Sequence, residues 1–208
     1  MNRLVQLAVF LTLLYHVESW KTVRYWTEKL SMTQPFGDTS GWLSDIYKSD
    51  ETYDNLPERY GMNATRHFAE HIYFLLESDI VTPFYRLKSD ELRHHYYGAT
   101  CRIYTIEKQT GRLTHQDIGP AAKSFVVPLK RGDWHAITVK KPAPGRYCLL
   151  GITVIPGWNL EDFYKPTTDD LVELYPKLES KIRAINSRYK GGGSNGNAEF
   201  DKDFKYDP

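Results

Sequence analysis

Between residues 72 and 155 the chain breaks into short runs rich in Val, Ile, Tyr, Phe and Thr, at 72–76, 84–87, 94–97, 102–106, 125–127, 135–139 and 147–155. Strands this short, with turn residues between them, indicate an antiparallel sandwich or barrel. Pro142, Pro144 and Gly145 mark one hairpin turn, and Lys108-Gln109-Thr110-Gly111 marks another. The aromatic content agrees: 15 Tyr, 9 Phe and 5 Trp against 3 Met suit strands and a lined pocket better than a helical bundle. At 41% hydrophobic the chain has enough apolar surface for a core, which argues against wholesale disorder.

The flanks read differently. Val23, Trp26, Thr27 and Leu30 share one face of a predicted helix over 20–32, ended by a loop of Pro35, Gly37, Asp38, Ser40 and Gly41. Beyond the strands, Thr168-Asp169-Asp170 opens a helix, and Pro176 either interrupts it or restarts it as a first-turn proline. Leu178, Ile182 and Ile185 then give one apolar face, to be laid on the barrel or on a second subunit. From Lys190 the sequence GGGSNGN, followed by alternating charges and aromatics, has the composition of a flexible polar tail. No internal repeat or second domain is evident, so the expected organisation is a signal peptide at 1–19, one domain at 20–189 and a tail at 190–208.

Arg3 followed by the apolar run 4–17, with Val17 and Ser19 at −3 and −1, has the form of a signal peptide cleaved after Ser19. The run is short for a membrane span, and an uncleaved anchor is the alternative. The expected product is secreted and free of the membrane after cleavage. Asn63-Ala64-Thr65 is then a glycosylation sequon. Cys101 and Cys148 are the only cysteines, permitting one disulfide or, equally, two buried free thiols. With 27 Lys+Arg against 26 Asp+Glu interleaved along the chain, a nucleic-acid partner is not expected.

Three blocks carry a resemblance: IYFLLESDIVTPFYRLKSDELRHHYYG at 72–98, VVPLKRGDWHA at 126–136 and LLGITVIPGWNLEDFYKP at 149–166. In order and spacing they resemble the DUF985 (Cupin_5) branch of the cupin superfamily, the RmlC-like jelly rolls, over roughly 22–176. The resemblance implies an all-β double-stranded β-helix with short terminal helices, a homodimer, and a ligand cavity inside the barrel. It implies no established reaction for this branch.

A metal-binding cupin sets two His at i and i+2, a Glu four residues after the second, and a third His on a later strand. Such a set holds a transition metal with positions left open. Here the paired positions fall on Tyr85 and Leu87, while Glu91 and His135 match the other two. His94 or His95 are candidates to refill the site: alternation from Glu91 favours His95, the family pattern favours His94, and a β-bulge would swap them. The turn between Pro128 and Gly132 is longer than the family's, which puts the position of His135 in question.

No cofactor is therefore expected. The alternative is a divalent transition metal on Glu91, His94, His95 and His135. Without metal, His94, His135, Tyr85 and Glu91 form a candidate acid/base set, as the RmlC-like nucleotide-sugar epimerases pair His with Tyr. Arg86, Tyr104, Trp134, Trp42 and Tyr47 are candidate ligand contacts, the first as an anion clamp and the rest by ring stacking. Core packing and strand-tying ion pairs are the plain alternatives for each of these side chains. There is no Gly-rich phosphate loop, no nucleophile elbow and no Cys-x-x-Cys. The expected function is a secreted, dimeric cupin binding a small polar or carbohydrate-like molecule, with metal-free isomerisation or epimerisation as the chemistry its site would suit. A metal-dependent enzyme and a non-catalytic binding or structural protein are the alternatives.

Overall fold

A computed structural model describes residues 21–34 and 41–187. The segments expected to be a signal peptide and a polar tail lie outside these residues, as does most of the loop after the first helix. Among the described residues, no helix is long and apolar enough to cross a membrane.

The fold is all-β. Strands β1 (Trp42–Lys48), β4 (Glu70–Glu77), β6 (Asp90–Gly98), β9 (Val126–Leu129) and β11 (Tyr147–Ile155) form one antiparallel sheet in the order β1-β4-β11-β6-β9. Strands β7 (Cys101–Ile106), β8 (Leu113–Ile118) and β10 (Trp134–Val139) form a second, in the order β10-β7-β8. Bridges Val81↔Thr138 and Tyr85↔His135 add the segment after β4 to its edge. Short pairs complete the barrel: β2 (Thr52–Tyr53) with β3 (Arg66–His67), and β5 (Arg86–Leu87) with β12 (Phe163–Tyr164).

The two sheets face one another across a single apolar core. Leu76, Leu150, Ile152 and Val127 reach it from the larger sheet, and Ile103, Ile118, Ile137 and Val139 from the smaller. Alternation decides which residues enter, since successive strand side chains point to opposite faces. In β10, His135 and Ile137 point inward, while Trp134 and Ala136 join an outer cluster with Phe84, Ile106, Leu171 and Ile182.

That outer cluster seats the C-terminal helices, α2 (Thr168–Leu174) and α3 (Glu179–Asn186). Thr167, one residue before the expected start, caps α2 in a reciprocal capping box with Asp170. Pro176 opens a separate 3-10 turn before α3. Ile182 is fully buried with Leu178 and Ile185 beside it, so the apolar face of α3 is spent on its own barrel. Helix α1 (Val23–Lys29), capped by Thr22, is shorter than expected and packs Val23 and Trp26 on the outside of the larger sheet, near Tyr147 and Leu149.

Several strand expectations change. Strand β6 begins at Asp90, not residue 94, because its inward positions carry charge and hide the apolar period. Strand β8 is polar on its solvent side and gave no signal. The turn at 108–111 does join a hairpin, β7 to β8. The turn at 142–145 does not: β10 and β11 lie in different sheets, and the chain crosses between them there.

Leu87 is only 5% exposed and lies in the inter-sheet core. Leu87→Asp is expected to cost on the order of 4 kcal/mol, since an unpaired carboxylate would be desolvated there. Chemical denaturation checks this, and an unchanged midpoint would place residue 87 in solvent.

Candidate functional site

Within the barrel, β6 directs Glu91, Arg93 and His95 inward, and Leu92, His94 and Tyr96 outward. Glu91 and Arg93 are buried, at 3% and 5% exposure, and Arg93 Nη2 donates to Glu91 Oε2 at 2.6 Å. The same nitrogen donates to the Tyr85 hydroxyl, which in turn donates to Glu91 at 3.2 Å. Tyr85 arrives from the segment before β5, with its backbone paired to His135 in both directions, at 3.0 and 2.8 Å. That bridge places His135 beside the cluster, with the Tyr85 and His135 rings 6.5 Å apart.

His135 is buried among these groups. Its Nε2 donates to the Lys130 carbonyl at 3.3 Å, which leaves Nδ1 to accept from the Thr105 hydroxyl at 3.2 Å. Burial holds its pKa down at about 3, so the ring is neutral. Burial raises Tyr85 well above the usual phenol range, with the Arg93 charge acting against it. It also raises the Glu91 carboxyl, again opposed by Arg93. A void of about 10 Å³ remains between Tyr85, Arg93 and His135 on one side and Ile103, Leu129 and Ile137 on the other. That is room for one water. Tyr85 alone of the four polar residues is partly exposed, and Phe163 of β12 stacks on it with ring centroids 5.4 Å apart. Phe163 is likewise partly exposed.

Other sequence candidates lie elsewhere. His94 is outside the barrel, because the only bulge in β6, at Tyr96, falls beyond it and simple alternation holds. There its Nε2 and His71 Nδ1 share the Thr153 hydroxyl, at 3.1 and 2.7 Å, while His71 Nε2 meets Tyr96 Oη at 2.8 Å. Arg86 stacks between Trp134 and Tyr164 on the outer side, 4.5 and 5.1 Å from the ring centroids. Trp134 is buried under the C-terminal helices, and Tyr104 packs against the same cluster. Trp42 donates to Glu77 on the outer face of the larger sheet, and Tyr47 is 56% exposed on edge strand β1. None of these five side chains belongs to the interior cluster. Sequence reasoning missed Arg93, although the i, i+2 alternation from Glu91 points straight to it.

A transition metal does not fit this arrangement. The Arg93 guanidinium stands against Glu91, where a metal would need the carboxylate, and Leu87 occupies a ligand position. His95 faces inward but sits four residues along β6 from Glu91, beside Ala99 and Cys148. Among the described residues, no three His, Cys, Asp or Glu side chains gather to hold an ion.

The depressed pKa of His135 has a consequence for stability. An unfolded chain takes up a proton near pH 6.5 that the folded protein refuses until about 3, so stability falls as pH drops through that window. His135→Gln removes this difference. Between pH 6.5 and 4 the variant is expected to lose about 3 kcal/mol less than the parent, comparing denaturation midpoints. Equal losses would put His135 in contact with solvent.

The comparisons agree with this architecture. Residues 24–165 match the family described as Cupin superfamily (DUF985), Cupin_5. A hypothetical protein from Leishmania major superposes with a TM-score of 0.67 at 23% identity, covering 79% of this chain and 98% of that one. A structural-genomics protein from Shewanella oneidensis gives 0.67 and 23%, covering 79% and 96%. No curated protein matches. Both likenesses concern the fold, and the family match spans more than half of the sequence: this chain belongs to the DUF985 (Cupin_5) family of the cupin superfamily.

Proposed function

We propose that this protein is an exported cupin that binds a small polar guest inside its barrel, at Tyr85, Arg93 and His135, and acts by binding rather than turnover. The observation that carries this reading is the convergence of three polar side chains, Tyr85, Arg93 and His135, on one water-sized void in an otherwise apolar interior, with Glu91 bonded to the first two. Glu91 and Arg93 neutralise one another, which favours an uncharged guest bearing carbonyl or hydroxyl oxygens over an ion. Entry runs past Tyr85. A molecule of a few atoms takes the place of the water, and a sugar ring requires Tyr85 and Phe163 to swing outward.

A neutral His135 with both nitrogens engaged is a poor base at neutral pH, which weighs against catalysis in the closed barrel. Proton transfer is the second reading, favoured by Tyr85 and His135 lining the same void. A guest that opens the barrel to water would relieve the desolvation holding both groups away from neutral values.

Export is supported by the exposed position of Asn63, whose φ of 59° sets it in a turn with room for a glycan. Edge strand β1, with Ile46 and Tyr47 exposed, offers a face for the second copy of a homodimer.

The test uses full-length protein secreted from a eukaryotic host. Native mass spectrometry is expected to show a chain starting at Trp20, a glycan removed by N-glycosidase and absent in Asn63→Gln, and a retained small molecule. Thermal shift against small neutral carbonyl and hydroxyl compounds should then give binding that is lost in His135→Ala and Arg93→Met. If no such compound raises Tm and no mass is retained, the barrel is a structural plug.

A further inference from the structure

The outer face of the larger sheet carries two imidazoles that the barrel interior does not use. His71 of β4 and His94 of β6 stand on either side of the central strand β11, and both reach the Thr153 hydroxyl between them. His71 Nδ1 lies 2.7 Å from Thr153 Oγ1 and His94 Nε2 lies 3.1 Å from the same oxygen. A hydroxyl has one proton, so it donates to one ring and accepts from the other. Nitrogens from two strands are thus aimed at one point.

The rings also have the separation of a ligand pair. Two imidazoles that share one ion at a metal–nitrogen distance of about 2.1 Å have centroids no more than about 6.4 Å apart. The His71 and His94 centroids are 5.6 Å apart, with the planes at 68°.

Tyr96 fixes both rings. Its hydroxyl lies 2.8 Å from His71 Nε2, and its ring stacks on His94 with an interplanar angle of 18°. The Tyr96 ring lies flat over Gly151, where a Cβ would come within 2.7 Å of its carbons, and Tyr73 meets it edge-on at 5.8 Å. With the Nε2 proton donated to Tyr96, His71 keeps its Nδ1 lone pair towards Thr153. This is the outer hydrogen bond that orients a metal-binding histidine.

We propose that His71 and His94 bind a copper(II) ion on the outside of the sheet, with Thr153 setting their spacing and Tyr96 as a positioning residue. Two imidazoles with oxygens from Thr153 and water form the mixed nitrogen and oxygen set that copper(II) prefers, and copper is held most tightly in the divalent series. Calcium and magnesium would need carboxylates, and the register partners of the two histidines are Tyr47, Thr153, Gly151 and Val126. None of these is a cation that would repel the ion. Access is open: Tyr96 is 46% exposed, and both histidines are half-buried. The site shares no side chain with the Tyr85 cluster, so it stands or falls apart from the guest proposed there.

Full-length secreted protein without an affinity tag is stripped with a chelator, dialysed and titrated with copper(II), nickel(II) and zinc(II) by calorimetry. One copper per chain is expected, bound more tightly than nickel or zinc, with an electron paramagnetic resonance spectrum split by two nitrogens. His71→Gln and His94→Gln should each leave one nitrogen in that spectrum. Tyr96→Phe keeps the ring and removes the acceptor, and should weaken copper about tenfold while both nitrogens remain. The histidine variants should weaken it by more than that. His115→Gln, which removes an exposed imidazole on β8, should change nothing.

Copper bound unchanged by a folded His71→Gln/His94→Gln double variant would show adventitious binding and overturn the site. The nitrogen count in the parent protein tests the pair without any variant, and a spectrum with fewer than two nitrogens would overturn it too. Tighter binding of nickel or zinc would overturn the choice of copper, and an unchanged affinity in Tyr96→Phe would remove Tyr96 as the positioning residue.

Discussion

A charge inside an apolar barrel has to be neutralised where it stands, and in this protein Glu91 and Arg93 do that for each other two residues apart on one strand. Their spacing makes the pair possible, because alternate residues of β6 face the same way. The pair settles much else. It commits the one carboxylate available for a metal to a guanidinium and anchors the Tyr85 hydroxyl from both sides. It also leaves the cluster electrically neutral. Removing either partner alone would strand the other in low dielectric, which costs more than losing both.

The barrel itself was legible because its apolar strands are short and separated by turn residues, and because the blocks at 72–98, 126–136 and 149–166 stand in a recognisable order. Glu91, Tyr85 and His135 came with that order, and the structure does bring these three together. His94 did not follow. Family position and strand parity disagreed there, and parity won because the bulge in β6 lies at Tyr96. Arg93 was overlooked because an inward arginine breaks the apolar alternation by which a strand face is usually recognised. Trp134, Tyr104 and Arg86 were drawn to the site by residue type, yet they lie on the opposite face of their strands. Residue chemistry alone cannot say which face of a strand is which. Alternation from one anchored residue can.

The same alternation separates two polar features along one strand. Glu91 and Arg93 lie at the Tyr85 mouth, and His95 lies at the other end, beside Ala99, with Ile103, Val127 and Leu150 in the core between the two sheets. At the mouth stand two rings that can rotate, Tyr85 and Phe163. The other end has no slack: a Cβ on Gly98 would collide with the Tyr147 carbonyl, and one on Gly119 would come within 2.7 Å of the His95 ring. A guest is therefore expected to move the first end and leave the second in place.

This difference bears on how the barrel can open without coming apart. At the mouth the connections include the Tyr85–His135 bridge, the Gly132 amide donating to the Leu87 carbonyl at 2.9 Å and the short β5–β12 pair, so a withdrawal of the Tyr85 side chain breaks its hydroxyl contacts to Arg93 and Glu91 and leaves these in place. The Arg66–Asp162 ion pair, with contacts of 2.6 and 3.0 Å and both side chains buried, fastens β3 to the turn that leads into β12 and limits the movement to Phe163 and its neighbours.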